Sequence, residues 1–261
     1  MALYRTPSPV VRVRSREDFC TAVALGNVSG ITPLNKFGQS DNVESGERTM
    51  MPMDDAYVWP ATANHGVVQV SSSASADLGQ KVRIYGLAAT TYLLQDEEVT
   101  LDASDAQTGV DSVGSYARIF RAKTSDDAGS EMAGTVYVSK TGASLTNGVP
   151  GTADLWNLYT ADAQQTLFAG YTVPAATTLL INHLRITTNT AANLTFKVRI
   201  RELGKVATLL EQFTSSTPVM AERWYCPALI IPAKADVWIA GLSATGSQTA
   251  SGGFGGYLVA D

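Results

Sequence analysis

From residue 66 onward, apolar and polar residues alternate with a period of two along most of this chain. "GVVQVSS" sets Val68 and Val70 on one face, and "KVRIYGL" sets Val82 and Ile84 against Lys81, Arg83 and Tyr85. "TFKVRIR" is the cleanest case, with Phe196, Val198 and Ile200 one way and Lys197, Arg199 and Arg201 the other. That period sends alternate side chains to opposite faces of a sheet, one buried and one wet. "SYARIFRAK" and "GTVYVSK" read as further strands, as do "TLFAGYTV", "TTLLINHLRITT", "ERWYCPALII", "ADVWIAGLSA" and "GGYLVA". Helical signal is confined to "EDFCTAVAL" (17–25), long enough for two turns, while "VATLLEQF" (206–213) suits strand equally well.

Three local features refine the pattern. In "TYLLQDEEVTLD" the buried parity changes between Tyr92/Leu94 and Val99/Leu101. A strand changes parity only through a turn or bulge, which predicts one at 95–98, with Glu98, Thr100 and Asp102 facing water. "VPAATTLLI" (173–181) and "IPAKADVWI" (231–239) echo each other as strand, proline corner, strand, a repetition suited to the facing sheets of a jelly roll. "SGGFGG" (251–256) reads as a hairpin tip before the last strand.

The first sixty residues differ. Val11 and Val13 alternate with Arg12, Arg14 and Arg16 after two prolines, and turn residues then recur from Gly26 to Pro60 with little periodicity. A long structureless loop inside a compact domain is improbable, so an arm laid over another surface is the better account. "TGASLTNGVPG" (141–151) is the strongest boundary signal. The fold class expected is all-β: an extended N-terminal arm (1–63), a β-sandwich (64–150) and a jelly-roll-like β-sandwich (151–261).

Composition narrows function. Charged residues are 16% and the net charge is −5, so no global basic field draws the chain to nucleic acid. No apolar run is long enough to span a membrane, and no apolar core of an export signal follows the leading arginines. Cys20 and Cys226 fit no metal or redox spacing and are expected to be buried free thiols. No nucleophile elbow, phosphate loop or zinc motif occurs; His65 and His183 read as packing or surface residues. The acids at 96–98, 54–55 and 126–127 would serve glycoside hydrolysis only if two flanked a cleft at about 5–10 Å. Their neighbours mark them as solvated. Neither cofactor nor metal is implied.

"LNKFG" (34–38), "YVWPATA" (57–63) and "VSSSASAD…VRIYGL…Y…DEEVTLD", in that order, resemble virion structural proteins of tailed bacteriophages, especially marine and cyanobacterial ones. The resemblance covers about the first 140 residues and includes no catalytic motif. It implies a non-enzymatic protein displayed on the virion: a capsid decoration (cement) protein, head fibre or related appendage. Its partners would be further copies of itself, as a homotrimer, and the major capsid protein or another virion protein, without nucleic acid or membrane. Arg5, Arg12, Arg14, Arg16, Phe37, Tyr57 and Trp59 are the expected assembly contacts, because aromatics on an arm must be covered by something. The alternative is a tail-fibre module reading host surface glycans through loops 141–151 and 245–256. Removing residues 1–60 is expected to cost attachment and leave the sheets intact.

Overall fold

The computed structural model describes residues 18–51, 57–188, 193–215, 219–244 and 246–261. Arg5, Arg12, Arg14 and Arg16 lie outside them. The described chain is all-β apart from a short helix, α1 (Phe19–Ala24), and brief 3-10 turns. Asp18 caps α1 by accepting from the Thr21 N–H at 3.0 Å, and Ala22 and Val23 form its buried side.

One six-stranded antiparallel sheet is built from β3 (Gly66–Ser72), β4 (Lys81–Ala88), β5 (Leu94–Thr100), β6 (Val110–Thr124), β7 (Val136–Lys140) and β10 (Leu155–Tyr159), in the order β10-β7-β3-β6-β4-β5. Alternation dictates its core. Val68, Val70, Val82, Ile84, Val136 and Val138 all point to one face, with Tyr116, Trp156 and Tyr159. The sheet curls until β10 meets β6, where Asn157 Nδ2 donates to Ile119 O at 3.1 Å. Two-residue strands β8 (Leu145–Thr146) and β9 (Val149–Pro150) make a hairpin within 141–151, and β7 and β10 pair directly on either side of it.

The second body is a sandwich. One sheet has the order β1-β17-β12-β15, from β1 (Ile31–Val43), β12 (Thr177–Thr188), β15 (Val219–Ile231) and β17 (Gln248–Ala260). The facing sheet runs β11-β16-β13-β14, from β11 (Gly170–Thr172), β13 (Leu194–Arg201), β14 (Thr208–Ser215) and β16 (Asp236–Ser243), with β2 (Arg48–Thr49) also on β16. Leu179, Ile181, Leu184, Phe196, Val198, Ile239 and Phe254 interdigitate between them. The crossed connections between the two sheets give the jelly-roll-like body that the sequence pattern predicts.

Residues 31–43, expected within the arm, are therefore a full edge strand, paired with β17 from Ile31↔Val259 to Val43↔Gln248. Turn residues such as Pro33 and Gly38 hid it from a periodicity argument. "SGGFGG" is corrected likewise: it lies inside β17, the strand between β1 and β12, not at a hairpin tip. The glycines are there for room. A Cβ on Gly256 would sit 1.9 Å from Leu180 O on β12.

The two echoing proline corners meet. Val173 N–H donates to Ala235 O at 3.0 Å and Lys234 N–H to Val173 O at 2.9 Å. Two residues past each proline, Ala176 and Lys234 share a positive φ, +55° and +62°. The internal echo thus encodes one corner geometry used twice, side by side.

Candidate functional site

The carboxylates that raised a catalytic possibility are engaged in sheet structure. β4 and β5 are joined by a turn in which Tyr92 has a positive φ of +59°, so the change of parity falls at residues 89–93. Gln95–Glu98 are ordinary ladder positions, which corrects the turn expected there. Asp96 pairs with Arg83 at 2.5 Å and Glu98 with Lys81 at 2.9 Å, each diagonally across the ladder, two residues from the directly opposed position. Glu97, on the other face, accepts from the Val113 and Gly114 N–H groups at 2.9 and 2.7 Å. Hydrogen bonds, from Ser125 first and Lys81 next, hold the Glu98 carboxyl below its ordinary range, and Lys123 does the same for Asp126. A general acid needs the opposite shift. Asp54 and Asp55 lie outside the described residues, and among those described no cluster of acids, His and Cys is arranged to hold a metal.

Tyr57 and Trp59, expected among the assembly contacts, fill the seam between the two bodies. They pack with Phe168, Trp238, Leu155 and Leu158 and are only 8% and 9% exposed. Trp59 lies 5.7 Å from Phe168 and 5.4 Å from Trp238, ring to ring, while Tyr57 Oη donates to Trp156 O at 3.0 Å. Such aromatic pairs contribute about 0.5–1.5 kcal/mol each beyond their buried area. Beside them a buried ion pair crosses the seam. Arg118 on β6 meets Asp236 on β16 through two bonds of 3.0 and 3.1 Å, and its Nη1 also reaches Pro60 O at 2.9 Å. Arg201 and Thr172 complete the Asp236 carboxylate at 2.5 and 2.6 Å. The carboxylate is saturated with donors, the arrangement of a clamp.

His65 joins that clamp, its Nε2 3.0 Å from Arg118 Nη1, and burial followed by the Arg118 charge pushes its pKa down. His183 instead lies on the outer face of the sandwich, 4.4 Å from the Trp224 ring. Both cysteines are exposed free thiols, which corrects the expectation that they are buried. Cys20 sits on the wet side of α1, where its Sγ accepts from Tyr257 Oη at 3.0 Å. Phe37, the remaining expected contact, is 48% exposed.

Sequence reasoning missed a concentration of exposed apolar residues. Of sixteen exposed large hydrophobic residues among those described, seven fall within 203–230: Leu203, Val206, Leu209, Leu210, Met220, Trp224 and Ile230. Trp224 is 69% exposed and Ile230 68%. They lie on the turn after β13 and on β14 and β15, the edge strands of the two facing sheets at the same side of the sandwich. There the sandwich is incompletely closed: Leu184, Ile186, Phe213 and Ala221 line an opening of about 170 Å³. Glu211 bridges the two edges through Arg223 at 2.9 Å and Tyr225 at 3.1 Å. In the sequence these apolar residues look like ordinary strand faces, since nothing local says which strand ends a sheet.

No protein-family model matches this chain, and no curated protein does. Solved structures give weak similarity to capsid chains of infectious bursal disease virus. The chain from the T13 viral particle is 10% identical with a TM-score of 0.27, over 75% of this chain and 54% of that one. Our chain thus spans about half the length of that protein. The Gx strain gives 8% identity and a TM-score of 0.24 over 88% and 72% of the two chains. The T=1 particles give 10% and 0.23 over 88% and 70%. Scores this low register common β-rich character and carry no argument about role.

Proposed function

We propose that this chain is a non-enzymatic virion structural protein of a tailed bacteriophage, a capsid decoration protein or head appendage. It associates with itself through the β14–β15 edge, as a trimer, and attaches to the major capsid protein or a neighbouring virion protein through the segment ahead of α1. The observation that carries this reading is the concentration of exposed apolar side chains on one sandwich edge. Exposed apolar side chains gathered in one region mark a protein contact more often than singly scattered ones do. Two parallel facts support it. An unpaired edge strand invites pairing with another chain, and β15 offers one over residues 219–224, before Pro227 and a register shift interrupt it. The order of the motifs at 34–38, 57–63 and 70–102 resembles phage virion proteins.

Light scattering after gel filtration tests self-association, and co-sedimentation with capsid shells tests attachment. The expected result is an oligomer that Trp224→Ser, alone or with Ile230→Ser, converts to monomer while the sheet circular dichroism is retained. A wild-type chain that is strictly monomeric, both alone and with shells, would overturn the reading.

A further inference from the structure

On the opposite edge of the sandwich from β15, strand β1 and strand β6 of the first body enclose a half-open cleft of about 370 Å³. Its charge is one-sided. Lys36 and Arg121 both line it, and no carboxylate does. Lys36 projects inward from β1, and its ammonium donates to Phe120 O at 2.8 Å and stands 5.6 Å from the Phe120 ring centre. A three-donor ammonium so placed has further N–H groups to offer. Arg121 donates one Nη2–H to Gln165 Oε1 at 3.0 Å and its guanidinium carbon stands 5.5 Å from the Tyr85 ring centre. Gln165 and the rings of Phe120 and Tyr171 are among its other lining residues.

We propose that this cleft is a binding site for an acidic sugar residue, a hexuronate or similar monocarboxylate. The carboxylate would lie between Lys36 and Arg121, and the ring hydroxyls would meet Gln165. Three features favour a sugar over an acidic peptide. The volume is at the small end of ligand pockets. Its lining combines the Gln165 amide with aromatic Tyr85, Phe120 and Tyr171. Strand addition along β1 is interrupted at Gln39, whose N–H is already bonded to Leu167 O of the crossing chain at 3.3 Å. The ammonium is also poised for an anion. Burial, then the Arg121 charge, push the Lys36 pKa from 10.5 down to about 7, a penalty that an incoming carboxylate relieves. The titratable and charged groups lining the site are Lys36, Arg121, Tyr85 and Tyr171. Only Lys36 changes charge near neutral pH, so binding takes up a proton and weakens as pH rises above about 7. The site is independent of the assembly reading, and it places glycan recognition away from loops 141–151 and 245–256.

Titration calorimetry and amide NMR of the full chain with sodium glucuronate, glucose, inorganic phosphate and an aspartate-containing peptide decide the matter. Saturable glucuronate binding at pH 6 is expected, with glucose at least tenfold weaker. Arg121→Gln and Lys36→Met, checked for folding by thermal melts, should each weaken it at least tenfold. Arg121→Gln retains the pH dependence and Lys36→Met abolishes it. Glucose equal to glucuronate, phosphate equal to glucuronate, or a preferred peptide would each overturn the assignment. So would affinity unchanged in both variants, or no saturation at all.

Discussion

At the scale of single residues, two ionic groups govern stability in opposite ways. Asp236, 3% exposed at its side chain, is the carboxylate among the described residues that pairs with the buried Arg118. Removing one member of a buried pair strands the other, at about 3–5 kcal/mol. Asp236→Ala is therefore expected to lower the thermal midpoint sharply in calorimetry. Replacing both, as Arg118→Met with Asp236→Leu, should recover part of the loss, because the buried guanidinium has gone while Arg201, 28% exposed, can turn to water. Unchanged stability in Asp236→Ala would show that the seam is not held there. Lys36 acts through pH. Its folded pKa, about 7, lies below its ordinary 10.5, so between those values the unfolded chain binds more protons. Stability contributed by this group consequently rises with pH from about 7 to 10.5. Melting curves at pH 6.5 and 9 should show that rise as the difference between wild type and Lys36→Met. Parallel pH profiles for the two proteins would refute it.

At the scale of elements, close backbone approach sets the limits. Gly38 on β1 sits over the bond from Ala169 N–H to Met50 O, and a Cβ there would stand 2.3 and 2.1 Å from those two atoms. Neither is a side chain able to swing aside. Gly38→Ala should thus displace the edge strand and cost at least ~1–3 kcal/mol, measured by denaturant unfolding. Hydrogen exchange should then rise first at β1 residues and stay low along β13. Full stability in Gly38→Ala would mean that β1 docks less closely than described. Strand existence and facing were legible here because alternation reports them directly: the buried faces of β4 and β13 are the ones their sequences dictate, while β3 is covered on both faces, Gln69 and Ser71 included. β1 was not legible. Its sequence, "ITPLNKFGQSDNV", carries proline, glycine and polar residues, and only pairing with β17 makes it a strand.

At the scale of the whole molecule, the leading segment and the body separate in a testable way. Because β1 and the Trp59 cluster belong to the fold, removing residues 1–60 would delete an edge strand and half of the aromatic seam. The informative truncation stops at residue 17, before α1. That shortened chain is expected to keep its melting temperature and oligomeric state while losing co-sedimentation with capsid shells. Attachment surviving the truncation would move the contact onto the body. Tyr57 and Trp59 illustrate how far a sequence argument reaches. Their apolar bulk demands cover, which composition alone establishes, but whether the cover comes from this chain or a neighbour depends on where Phe168 and Trp238 arrive.

Period-two alternation, low charge and punctuating prolines were enough to determine an all-β chain with a jelly-roll-like body, because facing and turn chemistry are local properties. Tertiary structure alone decided which strands are edges, which acids find a cation, and which aromatics stay in water. Those outcomes depend on partners more than a hundred residues away in sequence, as Arg118 and Asp236 are. The apolar edge at β14–β15 and the cationic cleft beside β1 both follow from sheet order, and strand order is written in pairing between distant segments, where no local pattern reports it.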